Sequence, residues 1–95
     1  MPEMRFNIRW PDGTPESCYS PSLVIKDYFS PGEAYPVAEF LRRSRTALTI
    51  ASERVRAKFG FACSNAAGQL ARLEAVCERF LDQKDAKVCV ESFHE

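Results

Sequence analysis

Residues 4–10 read MRFNIRW, an unbroken apolar–polar alternation, and Pro11-Asp12-Gly13 follows at once. No other stretch constrains the fold as strongly. Strict alternation is the pattern of a strand with one buried face. It puts Met4, Phe6, Ile8 and Trp10 on one side and Arg5, Asn7 and Arg9 on the other. Proline fits the second position of a type I turn, and a glycine with positive φ closes such a turn into a three-residue hairpin loop. The chain therefore doubles back through residues 15–20. With Gly13 as the bulge, Cys18 falls opposite Phe6 and points into the core.

The remaining chain reads mostly as helix. Ser20 is a good N-cap and Pro21 a good first helical residue, since the missing N–H would be unpaired there anyway. A short helix over about Pro21–Phe29 follows, and Ser30-Pro31-Gly32 breaks it. Pro36 opens a long helix to Phe59, with Val37, Phe40, Leu41, Leu48, Ala51, Val55 and Phe59 at three-to-four spacing. Gly60 suits a left-handed stop. A further helix is predicted over Cys63–Leu81, with Ala66, Leu70, Leu73, Cys77 and Phe80 on its apolar stripe. Asp82-Gln83-Lys84-Asp85 is a polar turn. Lys87–Phe93, rich in β formers, closes the chain as a third strand. The order β-β-α-α-α-β implies an α+β fold. Its predicted form is a three-stranded antiparallel sheet packed against two long helices and one short one, with the last strand beside the first. A length of 95 residues fits a single domain spanning 1–95.

Charge bears on partners. Thirteen basic and thirteen acidic residues give a formal net charge of zero, so no overall field draws the chain to nucleic acid or anionic lipid. No apolar run approaches the roughly 18 residues of a membrane span, and MPEMRFNIRW is not a signal peptide. A soluble cytoplasmic protein is expected. The long helix is locally basic, carrying six basic against two acidic residues over 36–60. Arg42, Arg45 and Arg56 on that face are candidates for an anion or nucleic-acid site. A solvated helix surface, with Glu39–Arg43 as an i, i+4 pair, is the simpler reading.

Cys18, Cys63, Cys77 and Cys89 are widely spaced, and His94 is the single histidine. Zinc sites and disulfide frameworks need closer or paired spacings, so neither a metal nor a cofactor is implied. A nucleophilic thiol needs a lowered pKa. Glu16 beside Cys18 would raise it; a helix starting at Ser20 would lower it. Cys18 and Cys63 are candidate thiol nucleophiles by residue type, but both fall on apolar faces where cysteine serves as a small core residue. No phosphate loop, HExxH or GxSxG is present, which argues against an enzyme acting alone. The outward sheet face offers Arg5, Asn7, Arg9, Ser17, Tyr19, Cys89, Glu91 and Phe93. Arginine and aromatic residues are enriched at interfaces. Arg5, Arg9, Tyr19 and Phe93 are therefore the candidate binding residues, for a protein partner or a second copy of the chain.

Two segments carry a resemblance. RWPDGTPESCYSPS (residues 9–22) and ALTIASERVRAKFGFACS (residues 47–64) resemble the small nitrogen-starvation-response proteins encoded in bacterial nitrilase gene clusters. The resemblance extends over nearly the whole chain. It implies a role alongside a nitrilase and its neighbouring enzymes, in nitrogen limitation and the use of nitriles or cyanide. It supplies no catalytic residues to carry over. Together with the residues, it implies an accessory, non-catalytic protein that binds an enzyme of the same cluster.

Overall fold

The structure is a computed structural model and describes residues 3–60 and 64–94. Its elements are β1 (Met4–Arg9), β2 (Pro15–Ser20), α1 (Ile25–Tyr28), β3 (Ala34–Pro36), α2 (Val37–Phe59), α3 (Ser64–Glu78) and β4 (Lys87–His94). The fold is α+β, as the sequence implies, with an antiparallel sheet backed by helices. The sheet has four strands rather than three, in the order β2-β1-β4-β3.

The β1–β2 hairpin forms as the Pro11-Asp12-Gly13 signature dictates. Trp10 N–H donates to the Thr14 carbonyl at 2.8 Å, Gly13 N–H to the Trp10 carbonyl at 2.8 Å, and Thr14 N–H to Asp12 Oδ1 at 2.9 Å. Gly13 has φ +89°, a conformation that a side chain would strain. Phe6 pairs with Cys18, and β4 pairs with β1.

One face of the sheet is sealed by the helices. Phe6, Ile8, Cys18, Val88 and Val90 are fully buried with Phe40 and Leu48 of α2 and Leu73 and Cys77 of α3. Aromatic rings join the layers: Phe29 lies 5.2 Å from Phe40, and Trp10 lies 5.9 Å from Phe40 and 6.2 Å from Phe80, centroid to centroid. Such pairs contribute about 0.5–1.5 kcal/mol each beyond their buried area.

Several expectations require correction. The unforeseen strand β3 is three residues long, with Tyr35 opposite Val88. It forms because β4 offers an unpaired edge, which the segment leading into α2 covers. Ser20 is not a helix cap. It ends β2, and its hydroxyl donates to the Ser22 carbonyl at 2.7 Å and accepts Ser22 N–H at 3.3 Å. This side-chain turn takes up residues 20–22, and α1 is left with four residues from Ile25. Phe59 is not core. It is 51% exposed, near the end of α2, a helix longer than the strands it backs. Its 23 residues span about 35 Å, whereas the six residues of β1 span about 20 Å. Gly60, at φ +84°, terminates α2 in the left-handed conformation as predicted.

The fourth correction moves Phe93. The β1–β4 register shifts between Asn7 and Ile8: Asn7 faces Ser92 and Ile8 faces Val90, so Glu91 is an extra residue. A bulge of this kind reverses the alternation beyond it. Ser92 and His94 therefore share the outer face with Asn7 and Arg5. Phe93, opposite Phe6, turns to the helix side and packs against the core.

Candidate functional site

The sheet face away from the helices is built by strand periodicity alone. Arg5, Asn7 and Arg9 of β1 stand beside Ser17 and Tyr19 of β2 and Cys89, Glu91, Ser92 and His94 of β4. Arg9 Nε donates to Glu91 Oε2 at 3.2 Å, and Arg9 Nη1 to the Gly13 carbonyl at 2.6 Å. Asn7 Nδ2 donates to Ser92 Oγ at 3.2 Å and lies 3.0 Å from His94 Nε2. Of the four predicted binding residues, the structure brings Arg5, Arg9 and Tyr19 together on this face and places Phe93 behind it. The missing signal for Phe93 is the bulge, which Val88-Cys89-Val90-Glu91-Ser92-Phe93 does not announce.

The exposed edge at β2 is blunted. Tyr19 N–H donates outward to Gln69 Oε1 of α3 at 2.9 Å. Period-two alternation then gives Ser17 and Pro15 the other outward positions, and Pro15 has no N–H to offer. An added strand would find few donors here, so association through the edge is disfavoured relative to the face.

Where β2 meets α3, the outer face turns into a cleft of about 730 Å³, lined by Arg5, Glu16, Tyr19, Gly68, Gln69 and Arg72 among others. Glu16 is the structural hinge of its wall. Glu16 Oε1 accepts Trp10 Nε1 and Arg72 Nη2, each at 3.1 Å, and Oε2 accepts Arg72 Nε at 3.4 Å. Sequence reasoning missed the cleft. Its parts lie some 50 residues apart, and no local motif links Glu16 to Arg72.

The thiols occupy contrasting environments. Cys18 is fully buried, and among the described residues its sulfur makes no hydrogen bond. Burial, reinforced by the Glu16 carboxylate, pushes its pKa well above the ordinary thiol value, against a weaker opposing pull from Arg5 and Arg72. Such a thiol stays protonated at neutral pH, the opposite of an activated nucleophile. Burial likewise pushes Cys77 up to about 11. Cys89 is half-buried on the outer face. Cys63 lies outside the described residues.

The basic helix face is largely committed to internal contacts. Glu39 of α2 binds both Arg42 and Arg43, with Arg43 Nε at 2.8 Å. Hydrogen bonds from these two guanidinium groups lower the Glu39 pKa to about 2. Arg43 also donates to the Tyr28 carbonyl at 2.8 Å, and Arg45 binds Glu74 of α3 at 2.8 Å. Of the predicted basic candidates, Arg42 and Arg45 thus hold carboxylates, whereas Arg56 has no ion pair among the described residues. Among those residues, no group of three His, Cys, Asp or Glu side chains is placed to hold a metal ion. No helix among them is long and apolar enough to cross a membrane.

No curated protein and no solved structure matches the chain. A family model described as nitrogen starvation-induced protein NitG matches residues 5–93. That span runs from the second residue of β1 to the penultimate residue of β4, so it takes in nearly the whole sheet and every helix among the described residues. The chain belongs to the NitG family of nitrogen starvation-induced proteins.

Proposed function

We propose that this protein is a non-catalytic accessory factor of the nitrogen-starvation response. It acts in the cytoplasm by binding an enzyme encoded in the same nitrilase gene cluster, in nitrile or cyanide assimilation. The observation that carries the mode of action is the uncovered sheet face bearing Arg5, Arg9 and Tyr19. Helices seal the opposite face, and the β2 edge is blunted, so the outer face is the broad regular surface left for a partner. Its polar character suits a transient complex rather than an obligate one. The buried, protonated Cys18 speaks against a thiol-dependent enzyme or redox protein that uses Cys18. The carboxylate pairing of Arg42 and Arg45 speaks against a nucleic-acid regulator.

Co-purification from nitrogen-starved cells under gentle conditions tests this reading. Enrichment of a nitrilase-cluster enzyme is the expected result. Recovery of the chain alone, or only as a complex of identical copies, contradicts it.

A further inference from the structure

The cleft between β2 and α3 presents donors, and two of its acceptor groups are spent. Gln69 lines it, and Gln69 Oε1 is committed to Tyr19 N–H. The backbone donor fixes the orientation of that amide, which leaves the NH2 group to the cleft. Both oxygens of Glu16 are likewise committed, to Trp10 and Arg72. Arg5 stands in register between Tyr19 of β2 and His94 of β4. Arg5 also lines the cleft, and among the described residues it forms no ion pair.

Gly68 supplies the second observation. It lies inside α3, where glycine costs about 1 kcal/mol relative to alanine. Neither usual reason for glycine holds at this position. The positive-φ glycines are Gly13, Gly32 and Gly60, and a Cβ at Gly68 would meet nothing within 4 Å. Gly68 lines the cleft. What the missing side chain preserves is the open volume of the cleft.

We infer that this cleft binds a small organic carboxylate, held by the Arg5 guanidinium and the Gln69 NH2 over the bare backbone of Gly68. A planar carboxylate accepts the paired N–H groups of a guanidinium fork. Arg72 is paired with Glu16, which leaves Arg5 as the lining arginine without an ion pair among the described residues, a match for a single negative charge. The exposed carboxylate of Glu3, also on the wall, opposes the second charge that a phosphate would bring. A volume of about 730 Å³ falls within the range of small-molecule sites. This binding goes beyond the docking role and does not depend on it.

Titration of the full chain by 1H–15N correlation NMR, at constant ionic strength in chloride, tests the inference. The probes are acetate, succinate and inorganic phosphate. Either carboxylate should produce saturable shifts at the Arg5, Gly68 and Gln69 amides and at the Gln69 side-chain NH2. Arg5→Ala should weaken carboxylate binding by about tenfold or more, the worth of a charge-assisted hydrogen bond. Gly68→Ala should weaken binding while raising the thermal midpoint, a pair of effects that misfolding cannot imitate. No saturable shift with either carboxylate, unchanged affinity in both variants, or preference for phosphate would overturn it.

Discussion

Replacing Cys18 by serine separates a structural thiol from a reactive one. The side chain is fully buried opposite Phe6, and no acceptor reaches the sulfur among the described residues. Sulfur tolerates that environment as a small apolar group. A hydroxyl of nearly the same shape brings an unsatisfied donor and acceptor, a cost of about 1–3 kcal/mol. For a domain of this size each kcal/mol lowers the thermal midpoint by about 4–8 °C. Trp10, 3% exposed between Phe40 and Phe80, is a built-in fluorescence reporter of unfolding. Urea titration of Cys18→Ser should therefore show a lower midpoint at unchanged slope, and Cys18→Ala should lose less than Cys18→Ser. Alkylation adds an independent readout. If global stability is about 5 kcal/mol, the opened fraction is on the order of 1 in 5,000. Iodoacetamide at neutral pH should then modify native Cys18 at about that fraction of the rate seen in the unfolded chain. Rapid labelling of Cys18 in the native protein, together with a serine variant as stable as the wild type, would refute a core role and restore the thiol as a nucleophile.

Three other outcomes follow from the same structure. Phe93→Ala should destabilise by about 1–2 kcal/mol in denaturant titration, since half-burial against the core gives part of the 3–5 kcal/mol of a full Phe deletion; a change within experimental error would return Phe93 to the solvent face. Glu39 has its pKa lowered to about 2 from 4.5, so the folded state holds fewer protons in that interval. Stability should therefore decline as pH falls from about 4.5 towards 2, and Glu39→Gln should flatten that decline in a series of thermal melts. The raised thiols act at the other end. Cys77 ionises only near 11 when folded but near 9 when unfolded, so stability should fall as pH rises above about 9, and Cys77→Ala should show a shallower alkaline slope.

What the sequence revealed depends on how local the determining physics is. β1 and the hairpin are legible because Met4–Trp10 and Pro11-Asp12-Gly13 encode period and turn within ten residues. The long helices are legible because their apolar stripes repeat over many turns. β3 is not: Ala34-Tyr35-Pro36 has no strand pattern of its own and pairs because β4 leaves an open edge. The bulge at Glu91 lies in the β1–β4 pairing, so Phe93 reads as outward until β1 is laid against it. Phe59 continues an apolar stripe faithfully, yet it stands 51% exposed near the end of α2, a helix longer than the strands it backs. At the site, Arg5, Arg9 and Tyr19 follow from periodicity. Gln69, Gly68 and Arg72 join Arg5 and Glu16 by tertiary packing of α3 on the β2 edge, which no local pattern records.

The central claim is that this NitG-family protein acts by docking a partner on its open sheet face. Affinity purification from nitrogen-starved cells, with three tagged forms compared by quantitative mass spectrometry, tests it most directly. The forms are the wild type, a face variant carrying Ser17→Arg and Arg9→Ala, and a helix variant carrying Arg42→Ala and Arg56→Ala. Neither Ser17 nor Arg9 lines the carboxylate cleft, so the result is independent of ligand binding. The account predicts that wild type and helix variant enrich the same cluster enzyme and that the face variant loses it while remaining folded. Equal enrichment by the face variant, or loss confined to the helix variant, would contradict the account.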